Sequence, residues 1–131
     1  MVFGTFDILH PGHIDFLRQA RKLGDYLIVS LACGKFIKKI KGHPAVHSES
    51  ERLKLLESLR LVDKAVLGSK TDYLQHIKAH KPHVIALGYD QKAFTEGLKR
   101  KLADMGLKVK VVRLKPYKKH LYKSSKFLKR L

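Results

Sequence analysis

The chain has 131 residues, 44% of them hydrophobic and 30% charged, a composition that suits a globular protein rather than a disordered one, with one domain and one core over residues 1–131. Lys and Arg number 28 against 11 Asp and Glu, for a formal net charge of +17, which favours anionic ligands or surfaces. The single cysteine, Cys33, excludes an internal disulfide. Without a membrane-length apolar run or a leader-like opening, the expected compartment is a reducing cytoplasm.

In chain order the pattern alternates strand and helix. Met1–Phe3 is a short apolar strand, brief enough to leave room for residues upstream of Met1. Gly12–Leu23 is a helix stopped by Gly24, with His13, Phe16, Leu17, Ala20 and Leu23 along one face. Tyr26–Ala32 is a buried strand ending near Cys33, which reads as a small core residue. Lys35–His47 is an irregular basic segment. Ser48 caps a helix running to about Leu59, and Glu51 completes a capping box. Ala65–Leu67 is a strand, Thr71–His80 a helix ended by Lys81-Pro82, and Val84–Leu87 a strand. Ala93–Met105 is a helix followed by Gly106, Val109–Leu114 a strand, and Ser124–Leu131 a closing helix. Such alternation predicts an α/β, Rossmann-like parallel five-stranded sheet with helices on both faces.

The most informative stretch is Gly4-Thr5-Phe6-Asp7-Ile8-Leu9-His10-Pro11-Gly12-His13, at the junction of the first strand and first helix. Pro11 suits a first helical turn, and Gly12 lets a ligand approach the backbone. Bare N–H groups and the positive end of the helix dipole are expected to face an anion there. His13 sits in the first turn and His10 just before it, so both can converge on that anion. Thr5 and Phe6 leave the carboxyl end of the strand, where open α/β sheets bind ligands. Gly88-Tyr89-Asp90-Gln91 follows the fourth strand. Gly88 permits a tight turn, and Asp90 and Gln91 suit ribose hydroxyls or a base edge. Ser124 and Ser125, with Lys126 behind them, make a second anion site at a helix start. Arg52 precedes Leu55, Leu56 and Leu59, so its head is expected to emerge toward the site. Arg60 is either a ligand contact or a cation placed by the helix dipole alone.

Gly4-Thr5-Phe6-Asp7 followed by His10-Pro11-Gly12-His13 resembles the HxGH signature of the cytidylyltransferase-like nucleotidyltransferases, and the resemblance spans essentially the whole chain. That superfamily moves an NMP group from an NTP to a phosphate and releases pyrophosphate. Gly88-Tyr89-Asp90-Gln91-Lys92, the 62–69 stretch and the 82–87 stretch are most similar to the archaeal FAD synthases, which are FMN adenylyltransferases. The resemblance implies ATP and FMN as substrates, Mg²⁺ carried by the phosphates, and a homodimer. By the same resemblance His10, His13 and Lys126 are catalytic, and Thr5, Phe6, Pro11, Gly12, Gly88, Asp90, Ser124 and Ser125 bind nucleotide. Lys38, Lys39 or Lys41, with Arg52, Arg60 and Tyr117, contribute to substrate binding. The chain departs from the FAD synthase pattern at Lys123, where a Cys is usual, and at Cys33-Gly34, where Arg-Asp is frequent. Both departures bear on the acceptor. A CTP-dependent glycerol-3-phosphate cytidylyltransferase is the alternative.

The charge exceeds what a nucleotide and a flavin phosphate require. Lys115 to Leu131 holds seven basic residues and no acidic one. That tract reads either as a solvated face or as a nucleic-acid surface, with Tyr117 and Tyr122 able to stack on a base. A non-catalytic RNA-binding module on the same scaffold is therefore a second alternative, which the intact histidine pair disfavours. His76, His80 and His83 have a spacing that suggests zinc, but no cysteine or carboxylate completes the set.

Overall fold

The computed structural model describes residues 1–92 and 95–117. Within them lie β1 (Val2–Gly4), α1 (Pro11–Arg21), β2 (Ile28–Leu31), α2 (Gly34–Lys41), α3 (Glu49–Glu57), β3 (Lys64–Leu67), α4 (Tyr73–His80), β4 (Val84–Leu87), α5 (Leu98–Asp104) and β5 (Lys110–Arg113). The five strands form one parallel sheet in the order β3-β2-β1-β4-β5. The chain winds outward from β1 to β3, then returns to the other side of β1 for β4 and β5. That reversal puts a crevice between β1 and β4 at the carboxyl ends of the strands. No described helix is long and apolar enough to cross a membrane.

Strand alternation sorts the apolar side chains onto two faces. Val2, Val29, Leu31 and Ala86 pack with Leu17 and Ala20 of α1 and Leu56 of α3. Met1, Phe3, Ile85 and Leu87 pack on the other face with Ile77 of α4 and Leu98 and Leu102 of α5. Each fully buried Leu or Ile contributes about 1.5–3 kcal/mol of burial, so these two layers fix the helices. Leu23, expected on the buried stripe, lies past the end of α1 and is 37% exposed.

The 35–47 stretch is not irregular. Its first part is α2, because Phe36, Ile37 and Ile40 keep helical spacing beneath the lysines and Ile37 is buried. Gly42 ends that helix at φ +76, donating to the Lys38 carbonyl. A backbone at that φ favours glycine. Ser48 and Glu51 form the expected reciprocal cap on α3. Asp72, rather than Thr71, caps α4, accepting from Gln75 N at 3.1 Å. Of the helix expected over Ala93–Met105, the described residues show Leu98–Asp104, with Gly97 as its N-cap at φ +66. Phe94 and the closing helix at 124–131 lie outside the described residues.

Candidate active site

The geometry of the α1 start is set by two imidazoles. His10 is the N-cap, and its Nδ1 accepts from Gly12 N at 3.1 Å. His13 Nδ1 accepts from His10 N at 3.2 Å. This is a capping box made of histidines where Ser and Glu usually serve. A neutral ring that accepts at Nδ1 carries its proton on Nε2. Both histidines are thus fixed as Nε2–H donors, with ring centroids 3.9 Å apart. The expected bare amides are not bare. Pro11 has none, Gly12 N serves His10, and His13 N donates to the His10 carbonyl at 2.9 Å. The caps consume the backbone donors, and the rings present replacements.

Phe6 holds the pair from below. Its backbone takes φ +48 and its ring is buried, 5.3 Å from His13 and 6.2 Å from Phe16 between centroids. Gly4 is required by that packing, because a Cβ there would meet the Phe6 ring at 2.6 Å. Phe6 therefore offers the site its backbone, not its side chain.

Burial, reinforced by neighbouring His10 and Lys41, lowers the His13 pKa to about 3. Burial lowers His10 as well. The unfolded histidines bind protons as pH drops through about 6.5, whereas folded His13 resists until about 3. Between those values the unfolded state holds more protons, so stability rises with pH and is lost on acidification. The denaturant midpoint should fall steadily from about pH 7 to about pH 4, and a His13→Gln variant should show a flatter decline.

The described residues enclose a cleft of about 910 Å³ over the carboxyl ends of β1 to β4. It brings together Thr5, Phe6, His10, Gly12, His13, Gly88, Asp90, Lys39, Lys41 and Tyr117. Pro11 lies on the outer side of the α1 start, in a shallower groove with Leu59 and Tyr117. Lys38 is exposed and does not line the cleft, which leaves Lys39 and Lys41 as the α2 cations facing it. Ser124, Ser125 and Lys126, and Tyr122 and Lys123 beside them, lie outside the described residues.

Arg52 does not emerge toward the ligand. It is wholly buried, and its Nη1 donates to the carbonyls of Thr5 at 3.1 Å and Ala32 at 2.7 Å. It ties together the ends of β1 and β2 beneath the histidine loop. Arg60 is exposed and absent from the cleft. It stands three residues before Asp63, which pairs with Arg21 and accepts from Leu27 N at the opposite, amino end of the sheet.

Gln91 proves to be part of the scaffold. β1 and β4 share a single paired position, Val2 with Ala86, and then splay. Beyond the splay Gln91 Nε2 donates to the Phe3 carbonyl and Gln91 Oε1 accepts from Gly88 N, both at 3.1 Å. The side chain extends the ladder where the strands part. Arg113 holds the same turn by donating to the carbonyls of Gly88 and Gln91. Gly88 itself has only ordinary contacts around the place a Cβ would occupy, so its missing side chain leaves room on the cleft side.

Asp7 is buried and binds the loop after α2. Its carboxylate accepts from Val46 N at 2.6 Å and His47 N at 2.8 Å. Lys39 and Lys41 lie just before that loop, so Asp7 ties them to the histidine motif. Asp7→Asn replaces one acceptor with a donor facing an amide. It should cost about 1–3 kcal/mol, measured as a lower denaturant midpoint with an unchanged m-value.

The second half of the cleft was not anticipated. It is lined by Ser30, Phe36, Ile40, the 68–71 turn, Tyr73 and His76. The lone hydroxyl in the apolar run 27–31 was the available signal. His76 Nε2 and Ser30 Oγ are 2.9 Å apart, and His80 Nδ1 lies 2.9 Å from the His76 carbonyl. His83 is exposed, and no group of three metal-ligating residues occurs among the described residues.

Residues 1–130 match the cytidylyltransferase-like family model. An FAD synthase of Pyrococcus horikoshii is 46% identical over 133 aligned positions, covering 100% of this chain and 90% of the relative. An FAD synthase of Aciduliprofundum boonei is 46% identical over 89% of this chain and 78% of its own. The crystal structure of a lipopolysaccharide core biosynthesis protein from Thermoplasma volcanium superposes with a TM-score of 0.84 at 40% identity, covering 89% of this chain and 95% of that one. A histidine-capped loop at the switch point of a 3-2-1-4-5 sheet, in a chain matched over nearly its full length, places this protein in the cytidylyltransferase-like family.

Proposed function

We propose that the protein is an FMN adenylyltransferase, converting ATP and FMN to FAD and pyrophosphate. The observation that carries this reading is the two-part cleft. A pair of Nε2–H donors stands at the strand crevice, and an apolar, aromatic-lined half opens beside it. Glycerol 3-phosphate would leave Phe36, Ile40 and Tyr73 facing water, whereas a flavin ring covers them. Relatives named FAD synthase at 44–47% identity support the same substrates.

A phosphate oxygen of FMN attacks the α-phosphorus of ATP. The new P–O bond forms as the α–β bridging bond breaks, and pyrophosphate leaves with the electron pair. No protein nucleophile is needed, so the residues act by positioning and by stabilising developing charge. His10 and His13 donate from Nε2 to the triphosphate oxygens, most strongly as charge builds on them. Thr5 and the Phe6 backbone line the α-phosphate position. Gly88 and Asp90 line the nucleoside side, Lys39 and Lys41 neutralise phosphate charge, and Tyr117 stands at the mouth. The Ser124-Ser125-Lys126 pattern suits the leaving pyrophosphate.

Asp90 is the sole carboxylate among the described lining residues, and the carboxylate of Asp7 serves loop amides. That donor set fits Mg²⁺ entering on the triphosphate rather than in a protein cage. Bound there, the cation offsets phosphate charge.

The test is direct. The protein is incubated with Mg²⁺ and either ATP plus FMN or CTP plus glycerol 3-phosphate, and products are resolved by chromatography. FAD is the expected product. CDP-glycerol, or salt-sensitive RNA binding without turnover of either pair, would overturn the assignment.

A further inference from the structure

The half of the cleft over β2 and β3 has an apolar wall, a polar edge at the 68–71 turn, where Ser69 Oγ already accepts from Thr71 N and Asp72 N, and a polar pair in its floor. Ile40 and Phe36 come from α2, Tyr73 comes from α4, and Leu31 lies in the floor. The pair in the floor is formed by Ser30 and His76, whose Oγ and Nε2 are 2.9 Å apart. Ser30 is 2% exposed and sits in the middle of a strand. A hydroxyl there gives up packing that Ala or Val would supply, so burying it needs a polar return.

The floor is built around that hydroxyl. Gly68 lies against it, where a Cβ would come within 3.3 Å of Ser30 Oγ and 3.1 Å of the Leu31 carbonyl. Any side chain at residue 68 would press on the polar pair and narrow the cleft. Burial and His80 lower the pKa of His76, so the ring stays neutral and either tautomer is open to it. If Nε2 bears the proton, it donates to Ser30 and the hydroxyl hydrogen points onward as a donor. If Nε2 is bare, it accepts from Ser30 and the hydroxyl oxygen offers lone pairs. The pair can therefore meet a donor or an acceptor on a ligand.

Resting on the FMN adenylyltransferase reading, we propose that Ser30 and His76 are specificity-determining residues that hydrogen-bond the pyrimidine edge of the flavin ring. That edge carries C2=O, N3–H and C4=O in one plane, an acceptor–donor–acceptor row on an otherwise apolar tricycle. The apolar lining from α2, α4 and the floor takes the tricycle, and the Ser30–His76 pair takes the edge. ATP is held on the far side of β1 by His10 and His13 and does not reach this pair.

Steady-state kinetics of FAD formation test this, with FMN and ATP varied separately. Ser30→Ala and His76→Leu should each raise KM for FMN by about tenfold, the scale of one hydrogen bond, and leave KM for ATP and kcat within about twofold. His76→Gln, which keeps a hydrogen-bonding group, should recover part of the loss. FMN methylated at N3 should bind the unaltered protein about tenfold more weakly than FMN, by quenching of flavin fluorescence, and should lose little further on His76→Leu. Unaltered KM for FMN in both variants, with FAD still made, overturns the role of the pair and leaves the activity standing. No FAD formation and no quenching by the unaltered protein overturns the activity and the pair together.

Discussion

His10→Ala and His13→Ala should each lower kcat for FAD formation by about 10²–10³, the usual cost of removing one preorganised donor to developing charge. KM for FMN should change little, because in the proposed placement the flavin lies against the β2–β3 half, away from both rings. The double variant should lose less than the product of the two, since the rings act as one stacked unit and share a cap. Stability separates this from simple damage. His10 caps α1 through Nδ1, so His10→Ala should also cost about 1 kcal/mol of folding stability. Asn is a strong N-cap, so His10→Asn should restore the midpoint while activity stays low. If His10→Ala and His13→Ala both remain near full activity, the imidazoles are caps and nothing more.

Much of this site could be read from local chemistry. Gly4-Thr5-Phe6-Asp7 and His10-Pro11-Gly12-His13 carry their meaning within ten residues. Strand, turn and helix start are sequence-local events, and so the cleft position and the histidine pair followed without the fold. The parallel sheet was legible for the same reason, since Tyr26–Ala32 and Val84–Leu87 are apolar runs between clear stops. The failures share a cause. Arg52 looked like a surface cation on α3, but the carbonyls it ties together belong to Thr5 and Ala32, 47 and 20 residues away. Gln91 looked like a ligand group, yet its partner is Phe3, 88 residues distant. The role of such polar side chains depends on which distant backbone groups are left unpaired, and no periodicity records that. The α2 helix was missed because four lysines among eight residues hid Phe36, Ile37 and Ile40.

These misreadings also describe how the site is supported. The histidines need a fixed strand end, and three side chains, two of them from distant elements, supply it. Arg52 joins the ends of β1 and β2, Gln91 bridges the splay between β1 and β4, and Asp7 ties down the loop that follows α2. Arg52 and Gln91 bind backbone groups at the strand ends where the crevice forms, and Asp7 binds amides of the loop after α2. The crevice costs the sheet its continuity, and polar side chains restore the lost hydrogen bonds while leaving the space for a ligand.

Arg52 offers the sharpest test of that principle. Its side chain is fully buried, with two carbonyl acceptors and no carboxylate in contact, and Nε and Nη2 lack partners among the described residues. Arg52→Ala leaves a cavity and orphans both carbonyls, which should cost about 3 kcal/mol, or roughly 10 °C in midpoint for a domain of this size. Arg52→Met keeps most of the stem volume and removes the buried charge together with its unpaired N–H groups. It should therefore be clearly more stable than Arg52→Ala, which sheds the same buried charge but leaves the larger cavity. Activity should not follow stability. With Thr5 and Ala32 no longer tied, the strand end carrying the histidine loop is free to shift, and a displacement of about 1 Å is enough to cost about 10²-fold in rate. A well-folded Arg52→Met protein that makes FAD slowly, with KM for FMN and ATP near the original values, is the expected outcome. A Met variant that is both stable and fully active would mean that the guanidinium only fills space.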